Sequence, residues 1–182
     1  LIILSMLLVW SCFQTRPVEP PSASNSDWVS PTDYNILLDN FKRSIAQRNV
    51  QNYLQCFDQE SFRFIAAASL FNDNESVWQN WRIQDEQAYL ENLFALLTSQ
   101  SGNSLNLLET DLQDVTADSL RFVGDYNLRI QHPDTTMTSF FKGQLQFQMQ
   151  INTFNEWSIT RWQDIETHPD SSWSLLKLRY IQ

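Results

Sequence analysis

The chain has 182 residues, of which 42% are apolar and 13% aromatic, so it can bury a sizeable core and does not have the composition of a disordered protein. It carries 21 acidic against 12 basic side chains, and the net charge of −9 repels the phosphates of nucleic acids. Only three glycines occur, which excludes a glycine-rich phosphate loop. We therefore expect one globular domain that binds neither nucleic acid nor a cofactor.

The N-terminus is typical of a secreted protein. Leu1 to Trp10 form an almost uninterrupted apolar run, which has the length of a signal-peptide core and falls short of the roughly 20 residues of a membrane-spanning helix. The run continues into Ser11 and Cys12, and this ending resembles the lipobox of bacterial lipoproteins, where a small residue precedes the lipid-modified cysteine. Trp10 departs from that pattern, because a small residue is usual there. The resemblance implies lipid attachment at Cys12; the alternative is an ordinary signal peptide or anchor with an incidental cysteine.

A flexible tether follows the signal peptide of residues 1–12. Residues 13–30 are rich in proline and serine and have no hydrophobic periodicity, and a linker of this kind spans roughly 20–30 Å. The domain, residues 31–182, is then expected to be lipid-anchored to a membrane of the bacterial cell envelope, on the periplasmic or surface side. Cys56 lies in an apolar helical stretch, and we expect it to be buried and unreactive. Without lipid on Cys12, a Cys12–Cys56 disulfide is the alternative.

The first half of the domain has the periodicity of helices. Thr32 or Asp33 can cap a first helix that ends near Arg48, with Asn49 in the left-handed conformation that terminates helices. The apolar face of this helix recurs at four-residue spacing in Leu37, Phe41 and Ile45. A second short helix follows, and its expected inward residues are Val50, Tyr53, Leu54 and Phe57.

The middle of the chain predicts a strand over 61–70 and a turn over 72–74. A clearer helix begins at Asp85, with Tyr89, Leu93 and Leu97 on one face. The sequence Ser-Gly-Asn at 101–103 ends it.

After Gly102 the apolar period changes from helical to two, which is typical of strands with one buried face. Strands are predicted over 105–109, 120–131, 141–151, 156–166 and 173–180. His132-Pro133-Asp134 supplies a turn between two of them. Trp162 is out of phase with Trp157, and a bulge near Arg161 is expected to bring Trp162 to the inner face. Because the helices precede the sheet, the pattern predicts an α+β fold.

This order resembles the NTF2-like superfamily with its SnoaL-like members, a cystatin-like cone of N-terminal helices packed in the concave face of a curved antiparallel sheet. The stretches that carry the resemblance are 48–58, similar to the helix–turn–helix start of such domains, and 157–164, similar to one of their late strands. The likeness covers roughly 31–180. It implies a pocket between helices and sheet. It implies no single reaction, because the superfamily includes isomerases, dehydratases, transport factors and non-enzymatic binding domains.

Aromatic residues are the first candidates for lining that pocket, since Trp and Tyr combine an apolar body with a polar group. We expect Trp78 and Trp81 at the pocket mouth as the main ligand-binding pair. The other candidates are Tyr89, Tyr126 and Trp162. Packing in the core is the alternative for each of them.

A catalytic acid–base residue in the pocket is the second kind of candidate. Ketosteroid-isomerase-like members of the superfamily use a pocket carboxylate as base, and the pKa of such a group must lie near neutrality. Asp164 shares a strand face with Trp162 and is the catalytic candidate, whereas Asp125 points away from Tyr126. A solvated or salt-bridged carboxylate is the alternative. Two His-Pro-Asp tripeptides are interpreted as turns, and we expect no metal site.

Four glutamines alternate along one predicted strand, at positions 144, 146, 148 and 150. A solvated sheet face is one interpretation, and a homodimer through the sheet is another, because uncharged side chains cost little to desolvate. We expect a membrane-tethered lipoprotein whose domain binds a small apolar molecule or a protein without catalysis. The alternatives are a SnoaL-type lyase or isomerase that uses Asp164 and a purely structural dimer.

Overall fold

The structure is a computed structural model that describes residues 27–97 and 102–181. Its helices are α1 (Tyr34–Gln47), α2 (Val50–Gln55), α3 (Ala68–Asp73), α4 (Glu75–Trp78), α5 (Ile83–Leu96) and α6 (Trp173–Tyr180). Its strands are β1 (Arg63–Ile65), β2 (Ser104–Thr116), β3 (Ser119–Arg129), β4 (Phe140–Ile151) and β5 (Trp157–Glu166). The predicted α+β class is confirmed.

The five strands form one curved, unclosed sheet in the order β1-β5-β4-β3-β2. All neighbours are antiparallel except β1 and β5, which are parallel. The alternation predicted for β3 and β4 is confirmed, because Tyr126, Leu145 and Phe147 are buried on the inner face while Asn127 and Gln148 are exposed on the outer one. The concave inner face therefore holds the core.

A bulge in β5 sets the position of Trp162. Gln148 of β4 pairs with Arg161, and the next residue, Met149, pairs with Ile159, so that Thr160 is the extra residue. The expected bulge near Arg161 is confirmed, and Trp162 is fully buried. Without the extra residue, Trp162 would point to the outer face.

Helix α1 begins as predicted, with Asp33 as its cap accepting a hydrogen bond from the amide of Asn35 at 2.8 Å. Its end differs from the prediction. Arg48, with φ of 55°, takes the left-handed conformation expected of Asn49, and Asn49 instead caps α2 through the amide of Asn52. The left-handed residue thus comes one position earlier than predicted. Asn49 has extended backbone instead, because as the N-cap of α2 its carboxamide oxygen accepts a hydrogen bond from an otherwise unpaired helix amide.

The C-terminal strand predicted over 173–180 is wrong, because this segment is helix α6. Ser172 caps it, and its buried side chains Trp173, Leu176, Lys177 and Tyr180 follow helical spacing. The same residues also fit a short apolar run, so the local pattern is ambiguous. Two smaller corrections follow. Where a strand over 61–70 and a turn over 72–74 are predicted, β1 has only three residues and α3 extends to Asp73. Strand β2 runs to Thr116 instead of Glu109.

The described chain begins with the last residues of the predicted tether, and these contact the domain. Asn40 of α1 donates to the carbonyl of Val29 at 2.6 Å and accepts from its amide at 3.3 Å. Gln47 donates to the carboxylate of Asp27 at 2.6 Å. The predicted signal peptide, Cys12 and tether residues 13–26 lie outside the described residues.

Gly143 gives a test of the packing between β3 and β4. A Cβ at this position would lie 2.7 Å from the hydroxyl of Tyr126 and 2.8 Å from the carbonyl oxygen of Ile165. We expect Gly143→Ala to lower the free energy of unfolding by about 1–3 kcal/mol, because both obstacles are held in the core. Urea unfolding measures this. Gln148→Ala, on the exposed face of the same strand, is the control and is expected to change stability by less than about 0.5 kcal/mol; equal losses for both variants would contradict the packing.

Candidate functional site in the interior of the cone

The space between α5 and the sheet holds three charged side chains. Glu86 of α5 and Lys177 of α6 are fully buried, and Asp164 of β5 is 2% exposed. Charged groups are rarely buried unless they are paired and hydrogen-bonded. This cluster is therefore the most unusual chemical feature of the described chain.

Lys177 and Glu86 form a buried ion pair in which the ammonium contacts both carboxylate oxygens. Glu86 also accepts from the hydroxyl of Tyr53 at 2.5 Å and from the indole nitrogen of Trp81 at 2.8 Å. Burial lowers the pKa of Lys177 to about 8, although the negative charge of Glu86 opposes this shift. The contact with the Glu86 carboxylate favours the charged ammonium form of this side chain.

Aromatic rings surround the ammonium nitrogen of Lys177. The nitrogen lies 3.9 Å from the ring centroids of Phe64 and Trp162, 5.2 Å from that of Tyr89 and 5.5 Å from that of Trp81. Each distance is within the range in which a ring face attracts a cation. The ammonium is thus held by one carboxylate and several π-faces.

Asp164 holds the N-terminal end of α6. One of its oxygens accepts from the hydroxyl of Tyr126 at 2.9 Å, and the other accepts from the amide and the hydroxyl of Ser174 at 2.7 and 2.6 Å. The amide of Trp173 donates to the same Tyr126 hydroxyl at 2.7 Å. Both carboxylate oxygens are therefore occupied by donors of the protein, and the negative charge lies at the positive end of a helix.

Burial raises the pKa of Asp164, and the hydrogen bonds from Ser174 and Tyr126 and the charge of Lys177 oppose this shift without cancelling it. Burial and the neighbouring Asp164 carboxylate also raise the pKa of Tyr126. Tyr126 is therefore a neutral hydroxyl that donates to Asp164.

The five predicted ligand-binding aromatics all lie in the core and are 2% exposed or less. Trp78 and Trp81, which the sequence places at a pocket mouth, stack at 5.0 Å inside the domain. Their indole nitrogens are satisfied internally, by the carbonyl of Leu70 and by Glu86. In this conformation none of the five faces solvent, because α6 fills the space that the resemblance assigns to a pocket.

Helix α6 is what closes the cone. Trp173 packs against Trp162 at a centroid distance of 4.6 Å and against Tyr126 at 5.4 Å, and its indole nitrogen donates to the hydroxyl of Tyr89 at 3.0 Å.

The sequence interpretation missed Glu86, Ser174 and Lys177 as interior residues. The spacing of Trp173, Leu176, Lys177 and Tyr180 is the signal that would have found α6, but a lysine on that face argues against burial.

Grooves on the surface adjoin parts of this interior. One of about 600 Å³ lies between the outer side of α6 and the β3–β4 loop, with Met137 and Leu175 in its lining. Another of about 440 Å³, between α3 and β5, includes Ser69 and Asp164. Asp164, the predicted catalytic carboxylate, is thus part of the lining of the second groove.

The remaining predicted features lie apart from the cone interior. His132 contacts the carbonyl of Thr138 at 2.7 Å, and His168 is exposed beside Thr167. Within residues 27–97 and 102–181, no group of three or more His, Cys, Asp or Glu side chains is arranged to hold a metal ion. Cys56 is fully buried as predicted, and burial raises the pKa of its thiol, which disfavours the reactive thiolate.

The predicted glutamine row lies on the outer face of β4. Gln148 and Gln150 are exposed, Gln146 is half-buried, and Gln144 donates to the carboxylate of Asp125 at 3.1 Å. No helix in the part of the chain that the structure describes is both long and apolar enough to span a membrane.

Solved structures with the same fold come from several bacteria. A candidate aromatic ring hydroxylase from Novosphingobium aromaticivorans matches with a TM-score of 0.59 and 12% identity, covering 79% of this chain and 93% of that one. A ketosteroid isomerase-like protein from Erwinia carotovora atroseptica matches with a TM-score of 0.55 and 7% identity, covering 74% and 94%. A domain of unknown function with a cystatin-like fold from Nostoc punctiforme matches with a TM-score of 0.51 and 8% identity, covering 72% of this chain and 74% of that one.

The sequence matches no protein-family model and has no significant match among curated proteins. The structural likeness shows the fold alone at these identities. The expected NTF2-like cone is therefore confirmed as the fold of this chain.

The raised pKa of Asp164 predicts a pH dependence of stability. Because the pKa of Asp164 in the folded state lies above that in the unfolded chain, which is about 3.9, this carboxyl group stabilises the fold fully at a pH below the unfolded-state pKa. The stabilisation is lost as the pH rises through the folded-state pKa. Asp164→Asn lacks this titration. We expect the difference in free energy of unfolding, wild type minus Asp164→Asn, to fall as the pH rises, in urea unfolding measured from acid to neutral pH. A difference that is constant or rises with pH would contradict the assignment.

Proposed function

We propose that this protein is a membrane-tethered lipoprotein of the bacterial cell envelope whose NTF2-like domain is a protein-interaction module. In this proposal Cys12 carries the lipid, residues 13–26 belong to the tether, and the domain begins where Asp27 contacts α1. Several acyl chains on one cysteine give stable anchoring, whereas a single chain binds a membrane only reversibly.

The observation that carries the interaction role is the filled interior. Trp173, Leu176 and Lys177 of α6 are fully buried in the space between α5 and the sheet. None of the five predicted ligand-binding aromatic residues lines either of the two surface grooves described above. Binding by the closed domain therefore takes place on its surface.

The outer face of the sheet is the surface that we assign to the interaction, in the form of a homodimer. Gln146 and Gln163 are neighbours at its centre, next to Val123, and uncharged amides cost less to desolvate than charged groups. Leu108, 68% exposed, adds apolar area at the rim of the same face. A two-fold axis through this face would pair each copy with the same residues of the other.

A SnoaL-type lyase or isomerase that uses Asp164 is the second candidate. The groove of about 440 Å³ that includes Asp164 and the raised pKa of this carboxyl group favour it. Against it, Tyr126 and Ser174 already donate three hydrogen bonds to the two oxygens, so most of the acceptor capacity of this carboxylate is used within the protein. The carboxylate serves as a helix cap, and we rank the enzyme second.

The tether is tested by metabolic labelling. We expect the full-length precursor, expressed in a bacterium with an alkyne-bearing fatty acid, to incorporate the label and to sediment with membranes, because the acyl chains partition into the bilayer. Cys12→Ser should lose essentially all of both signals. Cys56→Ala is the matched control and should keep them.

Absence of label from the wild type, or its retention in Cys12→Ser, would contradict lipidation at Cys12. If the label is absent and both cysteines resist alkylation in the native and the denatured protein, the Cys12–Cys56 disulfide is the correct alternative.

The interaction face is tested by cysteine cross-linking in those membranes. Gln146→Cys places a thiol at the centre of the outer face, and near a two-fold axis it should form a disulfide-linked dimer upon mild oxidation. Glu91→Cys, exposed on α5, is the matched control and should remain monomeric. Cys56 does not interfere, because it is buried. Equal cross-linking of both variants, or none with Gln146→Cys, would contradict pairing through the sheet.

A further inference from the structure

The surroundings of the Lys177 ammonium form a cation site whose walls belong to elements other than α6. We call these walls the ammonium cage, and they consist of Phe64, Trp81, Glu86, Tyr89 and Trp162. Phe64 lies on β1, Trp81 precedes α5, Glu86 and Tyr89 lie on α5, and Trp162 lies on β5. Only the ammonium itself comes from α6.

Tyr89 and Trp162 of the cage also contact Trp173 of α6, but the other contacts that hold the cage come from the rest of the domain. The hydroxyl of Tyr53 and the indole of Trp81 fix the carboxylate of Glu86 from the helical side. Phe64 and Trp162 pack edge to face at 5.2 Å on paired strands. A carboxylate between aromatic faces, with no cation nearby, is poorly solvated and strongly favours binding one.

The dimensions of the cage select the kind of cation. The nitrogen lies only 3.9 Å from two ring centroids and contacts both oxygens of Glu86, so N-methyl groups would collide with the rings or with the carboxylate. A primary ammonium on a narrow apolar stem fits, as the lysine side chain does. Carboxylates and phosphates are repelled by Glu86 and by Asp164.

We propose that the ammonium cage is a binding site for primary alkylammonium ligands, and that Lys177 occupies it as a built-in ligand that an external amine can replace when α6 withdraws. Helix α6 is the last described element and pairs with no strand of the described sheet, so its withdrawal leaves every strand ladder intact. Of the segment 167–172 that joins it to β5, residues 167–170 are exposed and Ser171 and Ser172 are buried. This inference is independent of the tether and of the outer sheet face.

The chemistry of the cage is tested in Lys177→Ala, which vacates the space of the stem and the ammonium. We expect n-propylammonium chloride to raise the melting temperature of this variant saturably, by about 5–10 °C at 100 times its dissociation constant. Two variants are the matched controls and should show no saturable rise in melting temperature. In Lys177→Met an apolar side chain fills the space, and the double variant Glu86→Gln/Lys177→Ala lacks the carboxylate. Sodium chloride and n-propanol serve as control solutes.

A variant that is unfolded alone still gives an answer, because recovery of its near-ultraviolet circular dichroism can be titrated with the same amine. If n-propylammonium stabilises Lys177→Ala no more than sodium chloride and n-propanol do, or equally stabilises the variant without Glu86, the cage is not an ammonium site and the proposal is overturned.

Replacement of Lys177 is tested in the wild-type protein by hydrogen exchange. We expect the α6 amides to exchange by local opening, faster than those of β3 and β4, and their exchange to accelerate in the presence of n-hexylammonium, which supplies both an ammonium and an apolar stem. If the α6 amides exchange only with global unfolding, or are unaffected by the amine, Lys177 is a permanent structural residue and the proposal is overturned.

Discussion

The closed form of this domain depends on the buried ion pair between Lys177 and Glu86. A buried pair contributes little net stability, because desolvation of two charges offsets their attraction, but either charge alone would be very costly. The pair therefore specifies where α6 lies: any shift along its axis would remove the ammonium from its carboxylate. Asp164 and Tyr126 add a second constraint by binding the first amides of the helix. Together they fix the first turn and the middle of the helix that fills the cone.

The aromatic core follows from this arrangement. Phe41 of α1 contacts rings from α2, β4, β5 and α6, among them Tyr53 at 5.3 Å and Trp173 at 5.8 Å. Trp162 lies at the meeting point of the sheet, the cage and α6. The number of aromatic side chains thus reflects a closed interior lined with polar groups, in which Trp and Tyr supply both apolar area and hydrogen-bond donors.

A common fold does not imply a common use of its interior. The cone of this protein has the same architecture as a ketosteroid isomerase-like protein, yet its own C-terminal helix lies where a pocket was expected. Our two proposals divide the roles accordingly: the outer sheet face is assigned to a partner, and the polar interior is assigned to an amine that enters when α6 moves. The two roles are physically separable, because one uses the outer and the other the inner face of the same strands.

Local sequence patterns determined the α+β order, the alternation of β3 and β4, the cap at Asp33 and the bulge before Trp162, because each depends on periodicity or on a single backbone position. They also determined that Asp164 and Tyr126 face inward. Tertiary structure alone decided that residues 173–180 are a helix, since their pattern fits either state locally and the buried Lys177 is tolerated only because Glu86, 91 residues away, meets it. The same long-range pairing converted the predicted pocket aromatics into core. An ion pair between residues far apart in the sequence, such as Glu86 and Lys177, leaves no trace in the local hydrophobic periodicity. This ion pair holds α6 inside the cone.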